Sequence, residues 1–259
     1  MSMTAYKYPW TTAPLGPEHL ADCRMEFPME LGRLMWSLST PYALAEVALA
    51  EAGVMGAASA MLGGGQGWIT FLDGPPRAQE MLVPVLLKRM QEAGASTQYI
   101  TAREKQATLL EAHGFRPLGR MLRYAGGQFR EATLDQVVHF DPRYRLGMAH
   151  VLGKAVGNGM LDMVLEHDYL TQLYVDEGRV DGVLVPLLGQ GLILAGGPRA
   201  GLELQRWLWP VQEEMVLPEE NATAHEHLVE CGYQFTEEGL FMARGEPHWR
   251  PEMIYGWCW

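Results

Sequence analysis

Apolar and polar positions trace the same passage twice along this chain. GWITFLDGPPRAQEML near residue 70 and QGLILAGGPRAGLELQ near residue 190 each read as a short apolar run, a Gly-Pro-containing turn and a helix-spaced stretch. Downstream, TAREKQATLLEAHGFRPLGRMLRY and LPEENATAHEHLVECGYQFTEEGLFMARG each carry a short helix that stops at a Gly-aromatic pair, Gly114-Phe115 and Gly232-Tyr233, and then a further strand-like run. A repeat on this scale is a duplicated domain rather than a solenoid unit.

The rest of the pattern fills in around the repeat. Residues 12–38 predict helix, with Leu20, Cys23, Met25, Leu31, Leu34, Met35 and Leu38 as the apolar stripe. ALAEVALAEAGVMGAASAML predicts a hairpin turning near Glu51-Ala52-Gly53, and Gly63-Gly64-Gly65 leads into the strand GWITFLD. A helix over 78–93, with Pro84 near its start, is followed by the strand STQYITA, the helix EKQATLLEAHG and a strand pair in RPLGRMLRYAGG. The second half predicts helices in LDQVVHF and RLGMAHVLGKAVG, then three strands in YLTQLYVDEGRVDGVLVPLLGQGLILAGG. It continues with the helix GLELQRWLWPV, the strand EEMVLP, the helix NATAHEHLVECG and a strand pair in YQFTEEGLFMARGE, and the aromatic tail HWRPEMIYGWCW predicts an added strand. The expected architecture is α/β: two tandem domains, 1–128 and 129–259, joined through 127–134, each a mixed, mostly antiparallel sheet flanked by helices.

Composition narrows the function classes. Apolar residues are 48% and charged residues 20% of 259, enough to build a core. No segment approaches a membrane span and the N-terminus lacks a signal pattern, so the expectation is a cytoplasmic protein with no membrane partner. A net charge of −11 opposes nucleic acid and favours a cationic substrate. Cys23, Cys231 and Cys258 are scattered, which predicts free thiols and no disulfide. His225-Glu226-His227 puts its histidines two apart on a helix, on different faces, so no metal is expected there. Trp207, Trp209, Trp249, Trp257 and Trp259 predict core or inter-domain packing.

The element order, the strand–turn–helix and the later Gly-aromatic helix end resemble the GNAT acyltransferase superfamily, in two tandem copies over nearly the whole chain. The resemblance implies a sheet splayed at its middle, with acyl-CoA in the splay and its pyrophosphate on the loop after the fourth strand. The family loop usually reads Arg/Gln-x-x-Gly-x-Gly/Ala, whose glycines let backbone approach phosphates at a helix N-terminus. Here Arg77-Ala78-Gln79-Glu80-Met81-Leu82 and Arg199-Ala200-Gly201-Leu202-Glu203-Leu204 keep the arginine and lose both glycines. Of the later motif, Asn-x-x-Ala-x-x-x-Tyr-x-x-x-Gly-Phe, the second copy keeps Asn221, Ala224 and Gly232-Tyr233, and the first keeps Gly114-Phe115. Leu110 and Leu228 stand where the family often has the tyrosine that protonates the leaving thiolate.

The resemblance implies an acyl-CoA-dependent N-acyltransferase, moving an acetyl group from acetyl-CoA or another acyl-CoA to a small-molecule amine. The alternative is a duplicated fold kept to bind a small molecule, acyl-CoA or a protein; a homodimer is compatible with either. Candidate cofactor-binding residues are Arg77, Ala78 and Gln79 in the first copy and Gly196, Gly197, Arg199, Gly201 and Asn221 in the second. Asp73, at the end of the fourth strand, is the candidate base. Loop chemistry favours the second copy, because Glu80 would face the anion in the first.

Overall fold

Our computed structural model describes residues 9–128, 132, 136–187, 190–208 and 214–258. The first half runs β1 (Thr11–Pro14), α1 (Leu20–Glu26), α2 (Leu31–Ser39), β2 (Ala43–Ala50), β3 (Gly53–Gly63), β4 (Gln66–Asp73), α3 (Pro76–Glu92), β5 (Thr97–Ala102), α4 (Glu104–Ala112) and β6 (Arg116–Ala125). The second half runs β7 (Val137–His139), α5 (Arg145–Val156), α6 (Leu161–Glu166), β8 (Gln172–Asp176), β9 (Arg179–Leu187) and β10 (Gln190–Ala195). It ends with α7 (Pro198–Trp207), β11 (Glu214–Pro218), α8 (Ala222–Glu230), β12 (Gln234–Arg244) and β13 (Ile254–Gly256). The predicted repeat is present, down to its helix stops. Gly114 and Gly232 both take positive φ, 84° and 81°, and the next residue's N–H returns to Leu110 and Leu228 respectively.

Four local expectations need correction. The stretch 12–38 is not one helix: it opens as β1, paired with β2, and its helical part breaks between Phe27 and Glu30. Pro28 is the cause, since it disfavours helical backbone at the residue before it. LDQVVHF holds a strand, β7, because Val137 and Val138 find an open edge on β8. RPLGRMLRYAGG and YQFTEEGLFMARGE are single long strands, because each is paired along both edges rather than folded on itself. Pro84 falls in the middle of α3, on its exposed side, where the missing hydrogen bond faces water.

The halves do not keep separate sheets. One sheet has the order β1-β2-β3-β4-β5-β12-β6-β11 and the other β13-β10-β9-β8-β7. Strand β12 of the second half therefore lies between β5 and β6 of the first, and β11 extends the same sheet. A shared core follows: Trp68, Tyr99 and Met121 of the first half pack in one cluster with Met148, Leu152 and Trp257 of the second. Trp68 stacks on Tyr99 at 4.1 Å, and Trp257 leans on Trp68 at 5.5 Å. Trp249 and Trp257 thus pack inside, Trp207 is partly exposed, and Trp209 and Trp259 lie outside the described residues. The junction 127–134 also falls partly outside them.

Candidate functional site

Strands β4 and β5 are parallel, but they pair only from Gln66–Thr97 to Ile69–Ile100. Beyond Ile69 they part. The parting begins at a bulge: Ser59 faces Phe71 and Ala60 faces Ile69, which leaves Thr70 as the extra residue. Two contacts hold the bulge. Thr70 Oγ1 lies 2.8 Å from Ser59 Oγ, and the Thr70 carbonyl accepts from Arg33 Nη1 of α2 at 3.1 Å. A cleft of about 160 Å³ opens at this divergence, walled by Arg33, Asp73, Arg103, Met121, Glu237 and Gly239 among others.

The carboxylate of Asp73 lines the cleft but is engaged. Its Oδ1 accepts from Gly74 N–H at 2.8 Å, and its Oδ2 sits 3.6 Å from Arg103 Nη1. Gly74 has φ 125°, and a Cβ there would run into Gly56 and the Met55 carbonyl, so the turn into α3 requires glycine. The three first-copy loop residues differ in use. Arg77 is exposed with its guanidinium 5.0 Å over the Trp10 ring. Ala78 is buried in contact distance of Gly56, and its N–H, like that of Gln79, turns to the Pro75 carbonyl. Gln79 is a buried strut: Nε2 donates to Gly74 O at 2.6 Å and Oε1 accepts from Gln106 Nε2 at 3.1 Å. Gln106 in turn donates to Leu72 O and accepts from Arg103 N–H, so this pair ties the end of β4 to both α3 and α4. Glu80 is exposed.

The second copy uses its loop residues differently. Between β10 and β11 lies the chain's own C-terminal segment. β13 pairs antiparallel with β10 through Ile193–Gly256 and Leu194–Ile254, and Trp257 N–H donates to Val216 O of β11 at 2.7 Å. Asn221 caps α8 by accepting from Ala224 N–H, and its Nδ2 donates to the carbonyls of Glu252 and Ile254. Gln205 Nε2 donates to Tyr255 O at 2.7 Å, and Gln205 Oε1 meets His227 Nδ1 at the same distance. The Tyr255 ring lies flat against Gly201, filling the space any Cβ would take. Gly201 and Asn221 therefore hold peptide. Gly196 donates to Asp181 O, Gly197 precedes the helix, and Arg199 is paired at 3.6 Å with Asp176 on the surface. In the second splay, then, the C-terminal segment lies where the first has its opening. Gly201 leaves room that Tyr255 takes, a Cβ at Gly196 would meet Asp181, and Gly197 faces open space.

Leu110 and Leu228 are fully buried at the position of the family tyrosine. His225 contacts Pro218 O and His227 contacts Gln205, and no group of metal-ligating side chains occurs among the described residues. All three cysteines are free thiols. No helix among the described residues is long and apolar enough to cross a membrane. The sequence reading missed Arg33, Val216, Glu237 and Gly239 as cleft residues. They reach the cleft through strand and helix packing.

Comparison with known proteins identifies the architecture. No protein-family profile and no curated protein matches the chain. Solved structures do. A candidate acetyltransferase from Pyrococcus horikoshii superimposes with TM-score 0.75 at 17% identity, covering 99% of this chain and 96% of that one. A GCN5-related N-acetyltransferase from Sphaerobacter thermophilus gives 0.58 at 14% identity, covering 93% and 96%. A tandem GNAT protein of the clavulanic acid biosynthesis pathway gives 0.52 at 11%, covering 93% and 99%. The chain has the GNAT fold.

Proposed function

We propose that this protein is an acyl-CoA-dependent N-acyltransferase with one acyl-CoA site per chain, in the divergence between β4 and β5. The observation that carries the reading is the contrast between the two splays: the first opens into a cleft, and the second is filled by residues 251–258. Acyl-CoA would supply the acyl group as a thioester. Around it, the α3 N-terminus and Arg77 offer positive potential to the pyrophosphate, although Pro75 O already takes two of the helix's first N–H groups. In the transfer, the amine nitrogen bonds to the thioester carbonyl carbon, the C–S bond breaks, and the proton lost by nitrogen ends on the thiolate. Asp73, at the end of β4, is a cleft carboxylate that can accept that proton, directly or through water, once Arg103 yields. With leucine at the family's tyrosine position, that proton reaches the thiolate by way of water.

Isothermal titration with acetyl-CoA tests the reading. One equivalent should bind, Arg77→Ala should weaken it, and Arg199→Ala should not. Two equivalents, or dependence on Arg199 alone, would sink it. A second reading, a binding fold without transfer, draws on the two buried leucines and on the commitment of Gln79 to Gly74. It predicts acyl-CoA binding with no thiol release in the presence of any amine.

A further inference from the structure

Antiparallel partners in a sheet point their side chains to the same face, and residues two apart on a strand do likewise. Met121 and Arg123 of β6 therefore share a face. Their partners are Gly239 and Glu237 on β12, and Arg123 also faces Val216 on β11. All five line the cleft, and three of the five come from the second half. Across the opening stands α2 of the first half with Glu30 and Arg33. The cleft is thus a joint product of both halves, with Arg33 of α2 and Gln106 of α4 also at its wall.

Two features of the second-half wall are selective. Gly239 contributes no side chain: a Cβ there would lie 3.1 Å from Ala102 O and 3.3 Å from Thr101 Cγ2, both cleft residues, so its absence creates room. Charge is also uneven. Glu30 pairs with Arg33 and Asp73 with Arg103. On β12 two carboxylates line the cleft, Glu237 and Glu238. Arg123 lies between Glu214 at 2.6 Å and Glu237 at 2.9 Å, while Arg120 meets Glu238. Arg123 can release Glu237 and still keep Glu214. The Arg123–Glu237 pair is solvent-exposed and therefore weak, so an incoming cation can compete for the Glu237 carboxylate.

We propose that the second half supplies the acceptor subsite of the first cleft, with Gly239 setting its size and Glu237 binding a positive group of the acceptor other than the nitrogen to be acylated. The acceptor class is a compact amine with a second cationic group. The proposal rests on the acyltransferase reading for the identity of the site, and its test does not need acyl-CoA.

Calorimetric titration of the full chain with diaminobutane and with butylamine, which differ by one ammonium, is the experiment. The diamine should bind the native protein more tightly. Glu237→Gln should weaken the diamine by about tenfold and leave butylamine unchanged, and Glu18→Gln, at a distant exposed glutamate, should change neither. Gly239→Val should weaken both amines. A native protein that binds the two amines equally or not at all, or a Glu237→Gln variant that still prefers the diamine, overturns the proposal. A parallel acetyl-CoA titration separates the two readings. Diamine binding that depends on Glu237 without acetyl-CoA binding keeps the subsite and removes the acyltransferase. Acetyl-CoA binding without diamine selectivity does the reverse.

Discussion

Asn221 Nδ2 donates to the carbonyl oxygen of Ile254 at 2.8 Å, so the residue that caps α8 also clamps the C-terminal strand between β10 and β11. One side chain joins the helix start to the peptide that fills the second splay. Both jobs are structural, and both are buried.

Asn221→Ala should therefore act on stability and not on ligand binding. It removes a helix cap and leaves the Ile254 carbonyl unpaired, for a loss of about 2–3 kcal/mol. Chemical denaturation should show the loss, while acetyl-CoA affinity, measured below the transition, stays within error of the native value.

Gly201→Ala tests the same packing from the opposite side. The added methyl would overlap the Tyr255 ring, and overpacking of this kind costs about 1–3 kcal/mol. A lower melting temperature with unchanged acetyl-CoA binding is the expected result. A variant as stable as the native protein would mean that Tyr255 does not sit there in solution.

The Cys258 thiol reports whether the segment is seated. It is fully buried, and burial pushes its pKa up, so it should resist alkylation in the native protein and react on unfolding. Mass spectrometry after brief iodoacetamide treatment should find residues 257–259 unmodified. Rapid native labelling of Cys258 would show that the second splay opens.

Stability should fall at alkaline pH. Burial raises the pKa of Tyr99, Tyr255 and Cys258, and it pushes Tyr233 up to about 12. In the unfolded chain these groups ionise near their ordinary 10.0 and 9.0. The contribution is whole below those values and is lost as pH climbs from them toward the raised folded pKa values, because only the unfolded state sheds protons in that window. Melting temperature should be level through neutral pH and drop above about pH 9.

The Gln79–Gln106 strut carries a separate expectation. Gln106→Leu strands the buried Leu72 carbonyl and takes the partner from the part-buried Arg103 N–H, for about 1–3 kcal/mol. Because the strut fixes the end of β4 against α3 and α4, acetyl-CoA affinity should fall as well. Equal affinity in the variant would show that the strut supports the fold alone.

Much of the architecture can be read from local pattern. Hairpin alternation marks β2 and β3, glycine stops mark the ends of α4 and α8, and the paired strand–turn–helix passages mark the duplication, because each depends on residues close in sequence. Gly114 and Gly232 are legible for the same reason: their left-handed backbone is a local demand. Partner choice among strands is not local. Nothing in GYQFTEEGLFMARG says that β12 pairs with β5 and β6 rather than with β11, since either register satisfies its alternation. The same holds for the tail, whose aromatic residues predict a strand but not the splay that receives it. Arg33 reaches Thr70, and Glu237 reaches Arg123, only because distant segments are brought together by core packing around Trp68, Tyr99 and Trp257. The sequence by itself determined the duplicated α/β elements and the turn chemistry that ends them. Tertiary structure alone decided which splay stays open, because long-range strand pairing and burial, not local propensity, placed residues 251–258 in the second.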